Sequence, residues 1–375
     1  MQQGGCPERL SDVVSHFLTR RTLLGLLPAG LWSARVSEKN HQLPYAGEFV
    51  RFADPTTETT VVRLTTPGYS SILPQPGRGF VSLKPRALYC ASDRAGGSLA
   101  PFEIDLRSGA MRQLAEAQAM DASSLGLDGQ GRALYFIDGG RLRLLPLNGK
   151  REMRKTEIVA EGVATYALGA SRNELVLLRD GRLQQMAGNV KTEELLVDHA
   201  ESPCLVRPGG HGCVFGRHSG AGEQEFWYIE AAGKPVLLAS GAVRDPYWAA
   251  DGRSLLFLRD VPVNTALVSQ VREISPEERT ERCLAPTSQF ASFAPNGNDS
   301  VFVGASRSKA QPNIVLMLRS PQREMTLCEH HASHPADAHP NFSPDSRRVY
   351  FQSDREGKPA IYSVNVEQLV EPTSG

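Results

Sequence analysis

The chain has 375 residues, with 41 Lys and Arg residues against 41 Asp and Glu residues. This balance leaves no overall charge that would favour nucleic acid or an anionic membrane surface as a partner. No apolar run approaches the roughly 20 residues that a bilayer-spanning helix needs, so we expect no stable membrane insertion.

The first 40 residues have the pattern of an export leader. Arg20 and Arg21 stand directly before a short, weakly apolar stretch, residues 22–34, which is the layout of a twin-arginine signal and is too short for a stable anchor. The alternative is an amphipathic helix that begins the domain, since residues 11–18 have some helical spacing. We therefore predict a leader over residues 1–40, one domain over residues 41–375, and a periplasmic or secreted protein.

A unit of roughly 40–45 residues, the length of a propeller blade, recurs through the rest of the chain. Each copy has the end of an aromatic strand, then a turn with Pro, Asp or Gly, then an apolar strand. The turn residues supply the fixed or positive φ that a hairpin needs. The copies lie at residues 83–90, 128–136, 246–257, 291–303 and 339–351.

Two further strands follow in most copies, as in residues 102–114 and 226–238. The last copy is short by one strand, because the chain soon ends after residues 360–364. Residues 61–65 read as an outer strand without a blade of its own, so we expect them to complete the last blade and close the ring. The predicted fold is all-β: a seven-bladed β-propeller of four-stranded blades with little helix.

The six cysteines lie far apart and form no CxxC pair. Cys204 and Cys213 could meet across two adjacent strands, and the alternative is that they are buried free thiols. A zinc site built from cysteines is not expected.

Motifs near both ends of this domain resemble those of one enzyme family. Residues 327–333, 339–345 and 351–362 resemble the closing blade of the oligogalacturonate lyases, and Asp54-Pro55-Thr56 with residues 62–65 is similar to the start of the same domain. The resemblance covers roughly residues 44 to 369. Between its two ends it rests on the generic blade repeat, which TolB-like propellers share.

The resemblance implies an enzyme of pectin breakdown that cleaves short oligogalacturonides by β-elimination. It also implies a divalent cation of the manganese type in the central channel and a histidine base. The C5 proton of a uronate becomes removable when a cation neutralises the neighbouring carboxylate. A base then takes that proton, and the C4 oxygen leaves.

Metal ligands in this family come mainly from the last blade. The resemblance places His334, Asp337 and His339 at the positions of a glutamine and two histidines, and Gln289 near a further histidine of the preceding blade. Imidazole nitrogens with carboxylate and amide oxygens can bind a hard divalent ion, so these four residues are the predicted ligands. The alternative is that the histidines between residues 330 and 339 form only a polar loop at the channel mouth.

The position of the family's base is substituted in this chain. The resemblance places that histidine three residues before a tryptophan, and Asp245 stands at this distance from Trp248. An aspartate with an ordinary pKa of ~3.9 is a poor base at neutral pH unless burial raises that pKa, and the adjacent Arg244 opposes such a rise. His218 matches another family histidine and is the second candidate for a base or substrate contact, with an ordinary surface histidine as the alternative.

The substrate-binding arginine of the family is also replaced. Glu225 stands at the position of an arginine that would bind a substrate carboxylate. Arg217 and Arg244 are the candidates to bind it instead, because arginine offers bidentate geometry to a carboxylate.

Three functions fit these observations. The first is a cation-assisted lyase that acts on oligogalacturonides or other uronate oligosaccharides, with Asp245 or His218 as the base. The second is a non-catalytic TolB-like propeller that binds an oligosaccharide or, through one face, a protein partner. The third is a different enzyme on the same scaffold, because a fold does not fix a function.

Overall fold

The computed structural model describes residues 44–148, 153–169, 174–187, 190–195, 197, 199–209, 212–230, 233–264, 266–287 and 289–373. The predicted leader lies outside these residues. Within them the chain forms seven antiparallel sheets of four or five strands and two short 3₁₀ helices, Ala122–Ser124 and Pro335–Ala338. Neither of these helices has the length and apolarity to span a bilayer. The predicted seven-bladed all-β propeller is confirmed.

Blades 2 to 6 each consist of four strands that are consecutive in the chain and pair in order. Blade 2 contains β8 (Gly126–Leu127), β9 (Ala133–Asp138), β10 (Arg141–Pro146) and β11 (Glu157–Glu161). Blade 3 contains β12 (Val163–Leu168), β13 (Glu174–Arg179), β14 (Arg182–Ala187) and β15 (Val190–Leu195). Blade 4 contains β16 (Glu201–Val206), β17 (Gly212–His218), β18 (Gln224–Glu230) and β19 (Val236–Gly241). Blade 5 contains β20 (Val243–Trp248), β21 (Leu255–Val263), β22 (Ala266–Ile274) and β23 (Glu281–Pro286). Blade 6 contains β24 (Phe290–Pro295), β25 (Val301–Ser306), β26 (Asn313–Leu318) and β27 (Arg323–Glu329).

Blades 1 and 7 have five strands each. Blade 1 contains β3 (Ser71–Ile72), β4 (Val81–Ser82), β5 (Ala87–Ser92), β6 (Ala100–Asp105) and β7 (Met111–Gln113). Blade 7 contains β28 (Asn341–Phe342), β29 (Arg348–Ser353) and β30 (Ala360–Asn365), with β2 (Thr60–Arg63) and β1 (Val50–Ala53) beyond them. In blade 7, β2 pairs antiparallel with β30, and Val61 stands opposite Val364.

The turn between the first two strands repeats from blade to blade. The amide of Gly131 donates to Asp128 O at 2.9 Å, and the amide of Gly252 donates to Ala249 O at 2.8 Å at the equivalent turn of blade 5. Both glycines have positive φ, at 67° in each, which a residue with a side chain adopts only with strain. These turns are the ones that the sequence repeat predicts.

The core lies between neighbouring blades. The second strand of a blade is covered on both faces, and β9 and β25 are accordingly buried at every residue. Aromatic side chains link adjacent blades edge to face, such as Tyr247 of blade 5 with Phe293 of blade 6 at 5.3 Å between ring centroids. This packing holds the inner strands rigidly around the channel.

Cys204 and Cys213 lie on the adjacent strands β16 and β17 as buried free thiols. Contact with Cys204 and burial together raise the pKa of the Cys213 thiol well above its ordinary value. Of the two alternatives left by the sequence, the structure has the buried thiols.

Candidate functional site

A cavity of about 980 Å³ occupies the central channel. Its wall consists mainly of the inner strands of blades 1 to 5, with two residues of blade 7. Its ionisable residues are Arg78, Lys84, Asp128, Tyr166, Cys204, Arg244, Asp245, Tyr247 and His339. Some of these residues lie on strands, such as Arg244, Asp245 and Tyr247 on β20, and others lie in turns, such as Arg78 and Asp128.

Asp245 is a carboxyl group of the cavity wall whose pKa is raised far above its ordinary value. It lies in a bulge of β20, where pairing with β21 shifts register between Arg244 and Tyr247, and it has a φ of 49°. Burial raises the pKa of Asp245 to about 6, although the charge of Arg244 and the amide of Phe293, 3.3 Å from Oδ2, both oppose the rise. The burial that the base hypothesis requires is present.

Arg244 lines the same cavity, but its guanidinium is bound to protein groups. Nη1 lies 2.8 Å from Asp260 Oδ2, Nε donates to Ala291 O at 3.0 Å, and Nη2 donates to Phe290 O at 2.7 Å. A further bond joins Nη2 to Ser269 Oγ at 3.0 Å. These contacts hold blade 5 against blade 6, and a substrate carboxylate would have to displace them.

His218 and Arg217 lie at the end of β17 and do not line the cavity. His218 Nδ1 is 2.5 Å from Glu201 Oε2, and both side chains are about half exposed. The Arg217 guanidinium stacks 4.8 Å from the centroid of the Trp227 ring. Roles for either residue at the substrate stay predictions.

The four predicted metal ligands are not brought together. His339 lines the cavity, whereas His334, Asp337 and Gln289 are exposed and do not line it. No group of three His, Cys, Asp or Glu side chains in the described residues could hold a metal ion. The donor set implied by the resemblance therefore does not fit a cation as the side chains stand here.

His339 is nevertheless a distinctive group of the cavity wall. It follows the 3₁₀ helix Pro335–Ala338 with a left-handed φ of 41°. Burial lowers the pKa of its imidazole, and the charge of Asp337 opposes this shift. Its Nδ1 is buried and bonds to no other described residue.

The remaining histidines of this segment point to separate partners. His330 is fully buried, with Nε2 at 3.0 Å from Ser306 O and Nδ1 accepting from the amide of Ala332 at 3.0 Å. His331 Nε2 lies 2.6 Å from Glu329 Oε2. These histidines are close in sequence, but the backbone directs their side chains to different partners.

Two residues of the cavity wall were missed by the sequence analysis. Arg78 lies in the segment 74–79, between β3 and β4 of blade 1, and reaches blade 3, where Nη2 donates to Tyr166 O at 2.9 Å. The hydroxyl of Tyr247 is buried, bonds to no other described residue, and has its pKa raised by burial and by the charge of Asp245. An arginine between two glycines, Gly77 and Gly79, was the one available signal, since such glycines permit close backbone approach.

Comparison with known proteins adds to this geometry. No family model matches the chain. An oligogalacturonide lyase of Pectobacterium atrosepticum is 25% identical over 196 residues, which are 44% of this chain and 50% of that protein. The match therefore spans about half the length of this relative.

Two solved structures share the whole propeller. An oligogalacturonate lyase in complex with manganese superposes with a TM-score of 0.76 at 19% identity, over 86% of this chain and 97% of that one. An oligogalacturonate lyase of Vibrio parahaemolyticus superposes with a TM-score of 0.75 at 18% identity, over 86% and 98% of the two chains. This propeller is similar to the oligogalacturonate lyases.

The lyase-like propeller also superposes on the hydrazine synthase of Kuenenia stuttgartiensis, with a TM-score of 0.56 at 12% identity over 77% of this chain and 95% of that one. At identities this low, structural likeness shows the fold alone, and one fold can support different chemistry. Manganese belongs to the solved lyase, and manganese binding by this lyase-like chain stays a prediction. The function must therefore be argued from the cavity.

Proposed function

We propose that this protein cleaves short oligogalacturonides by β-elimination in the central cavity, with Asp245 as the base. The observation that carries this proposal is the carboxyl of Asp245, held in the cavity wall with its pKa raised by burial to about 6. Such a group is ionised at neutral pH and is a stronger base than an ordinary aspartate. The similarity to the oligogalacturonate lyases supports the substrate class.

The proposed reaction balances without an external redox partner. Asp245 removes the proton from C5 of a galacturonate unit, and the C–H electron pair forms the C4=C5 double bond. The C4–O bond breaks, and the departing oxygen takes a proton from water. The hydroxide left by that water is neutralised by the proton on Asp245, which restores the base. Negative charge develops at the carboxylate next to C5, so a positive group beside it would stabilise the transition state. No step above depends on the divalent cation that the resemblance implies.

Other titratable groups are less suited to act as this base. His218 is bonded to Glu201 outside the cavity. Tyr247 keeps its proton at neutral pH, because burial and the neighbouring Asp245 charge raise its pKa well above the ordinary value. Asp245 combines access to the cavity with a suitable pKa.

The test is the ultraviolet absorbance of the new double bond when digalacturonate or trigalacturonate is incubated with the purified protein. We expect product from the wild type, and a rate lower by about 100-fold or more for Asp245→Asn, the range for losing a general base. The rate of the wild type should fall as pH drops below about 6, because protonation then removes the base. Asp251→Asn, an exposed aspartate in the next turn of the same blade, is the matched control and should keep the wild-type rate. Absence of product from folded wild-type protein, or an undiminished rate in Asp245→Asn, contradicts the proposal.

Binding of oligogalacturonide without cleavage is the second candidate. It is favoured by the substitution at the base position, because the chain has Asp245 where the resemblance implies a histidine. Under this alternative, digalacturonate binds to the protein and no unsaturated product forms.

A further inference from the structure

The segment 74–79 enters the central channel from blade 1 and contacts several other blades. A Cβ placed on Gly77 would lie 3.6 Å from the Leu205 side chain and 3.9 Å from the Tyr247 ring. Gly77 has a φ of 84°, which favours glycine, and the carbonyl of Gly79 accepts the amide of Leu127 at 2.7 Å. The backbone beside Arg78 is therefore bonded to blade 2 and lies close to side chains of blades 4 and 5.

The Arg78 side chain lies against blade 3 in a defined orientation. Its Cζ is 4.1 Å from the centroid of the Tyr166 ring, and Nη2 donates to Tyr166 O at 2.9 Å and Thr165 Oγ1 at 3.3 Å. The Tyr166 hydroxyl is itself within 2.6 Å of Ser124 O. A cation stacked on an aromatic face and held at one nitrogen loses little freedom when it binds an anion.

The charge of Arg78 is not neutralised by the protein around it. No carboxylate of the described residues lies within ion-pair distance of its guanidinium, whereas Arg94, Arg112 and Arg244 each have one at 2.5–2.8 Å. Nε and Nη1 of Arg78 bond to none of the described residues. Neither atom is a buried donor without a partner. These N–H groups therefore remain accessible in a cavity wall to which Arg78 belongs.

We propose that Arg78 binds a uronate carboxylate of the ligand in the central cavity. The inference rests on the proposed function in taking an oligogalacturonide as that ligand, and it names the cation that recognises it. A carboxylate accepts charge-assisted and often bidentate hydrogen bonds from a guanidinium that has no acidic partner. Arg244 is already bound to Asp260, and Arg217 lies outside the cavity. Arg78 thus takes the role for which Arg217 and Arg244 are the candidates from sequence.

The test is calorimetric titration with digalacturonate, carried out in the Asp245→Asn background so that no turnover interferes. We expect Arg78→Met to raise the Kd about 10- to 100-fold, the range for losing a hydrogen-bonded charge pair. Arg78→Lys keeps the charge and should lose less affinity. Arg253→Met is the matched control, because Arg253 is an 85% exposed cation that does not line the cavity, and the Kd of this variant should change by no more than about three-fold.

A second ligand separates recognition of the carboxylate from a general loss of structure. The methyl ester of digalacturonate has the same sugar units without the negative charges. Arg78→Met should therefore bind the ester as well as the Asp245→Asn protein that keeps Arg78. Equal losses for the acid and its ester, a loss in Arg253→Met as large as in Arg78→Met, or no binding of digalacturonate to folded protein would each overturn the inference. The proposed function fails separately: binding that depends on Arg78 but yields no unsaturated product from the wild type removes the lyase reaction and leaves the carboxylate site.

Discussion

Arg244 Nη1 lies 2.8 Å from Asp260 Oδ2, and Arg307 Nη2 binds the other oxygen of the same carboxylate at 2.8 Å. Two guanidinium groups thus share one acid between blades 5 and 6. The pKa of Asp260 is held below its ordinary value, because bonds from Ser269, Arg307 and Arg244 outweigh the opposing effect of burial. This arrangement makes Arg244 a structural residue in the wall of the cavity.

Replacing Arg244 should therefore lower the free energy of unfolding, and the affinity for digalacturonate should change little. In Arg244→Met the carbonyls of Phe290 and Ala291 lose a donor, while Arg307 still pairs with Asp260. We expect a loss of about 2–4 kcal/mol in the free energy of unfolding, measured by urea denaturation with an unchanged slope. Arg253→Met, an arginine that is 85% exposed, is the control and should be nearly neutral. Wild-type stability together with lost digalacturonate binding would show that Arg244 contacts the ligand instead.

The raised pKa of Asp245 predicts an inverse dependence of stability on pH. The folded protein releases the Asp245 proton near pH 6, whereas the unfolded chain releases it near the ordinary value of 3.8. Ionisation therefore destabilises the fold as pH rises through this window, and the effect is absent below it. Asp245→Asn should be more stable than the wild type at about pH 7.5, by up to ~3 kcal/mol, with no difference at about pH 3.5. The measurement is urea unfolding at both pH values, with Asp251→Asn as a control that shows no such trend. An Asn variant that is less stable at pH 7.5 would mean that a partner stabilises the carboxylate.

Removal of divalent cations should leave the binding of digalacturonate nearly unchanged. Arg78 supplies a fixed positive charge in the cavity, and the predicted ligands His334, Asp337 and His339 do not converge in the structure. We expect the Kd of protein treated with EDTA to stay within about three-fold of the untreated value, which is the size of effect expected for losing a weak, exposed charge. Weakening of ten-fold or more that added manganese reverses would instead establish the cation site implied by the resemblance.

The pairing of Val61 with Val364 predicts that the N-terminal strand stabilises the whole ring. Val61 is fully buried on β2, and its neighbours include residues of blades 6 and 7. Val61→Ala should lower the free energy of unfolding by about 2 kcal/mol through loss of buried methyl groups. Val50→Ala, on the adjacent β1 and 42% exposed, should have little effect. Equal stability of the Val61 variant and the wild type would mean that β2 does not contribute to the fold in solution.

The base candidate illustrates how far the sequence reached. The resemblance located Asp245, because it implies a base three residues before Trp248. Its pKa could not be read in the same way, since the shift is due mainly to burial among residues of several blades, opposed by Arg244 and Phe293.

The sequence by itself determined the propeller. Its recurring turns and apolar strands specify hairpins through hydrogen bonds between neighbours in the chain, as at Gly131 and Gly252. Tertiary structure alone decided which side chains face the cavity. Arg78 meets Tyr166 across 88 positions of sequence, and His339 lines the cavity whereas His334, five positions away, does not. Closing the ring brings the inner strands of distant blades around one channel, and no local pattern records which side chains meet there.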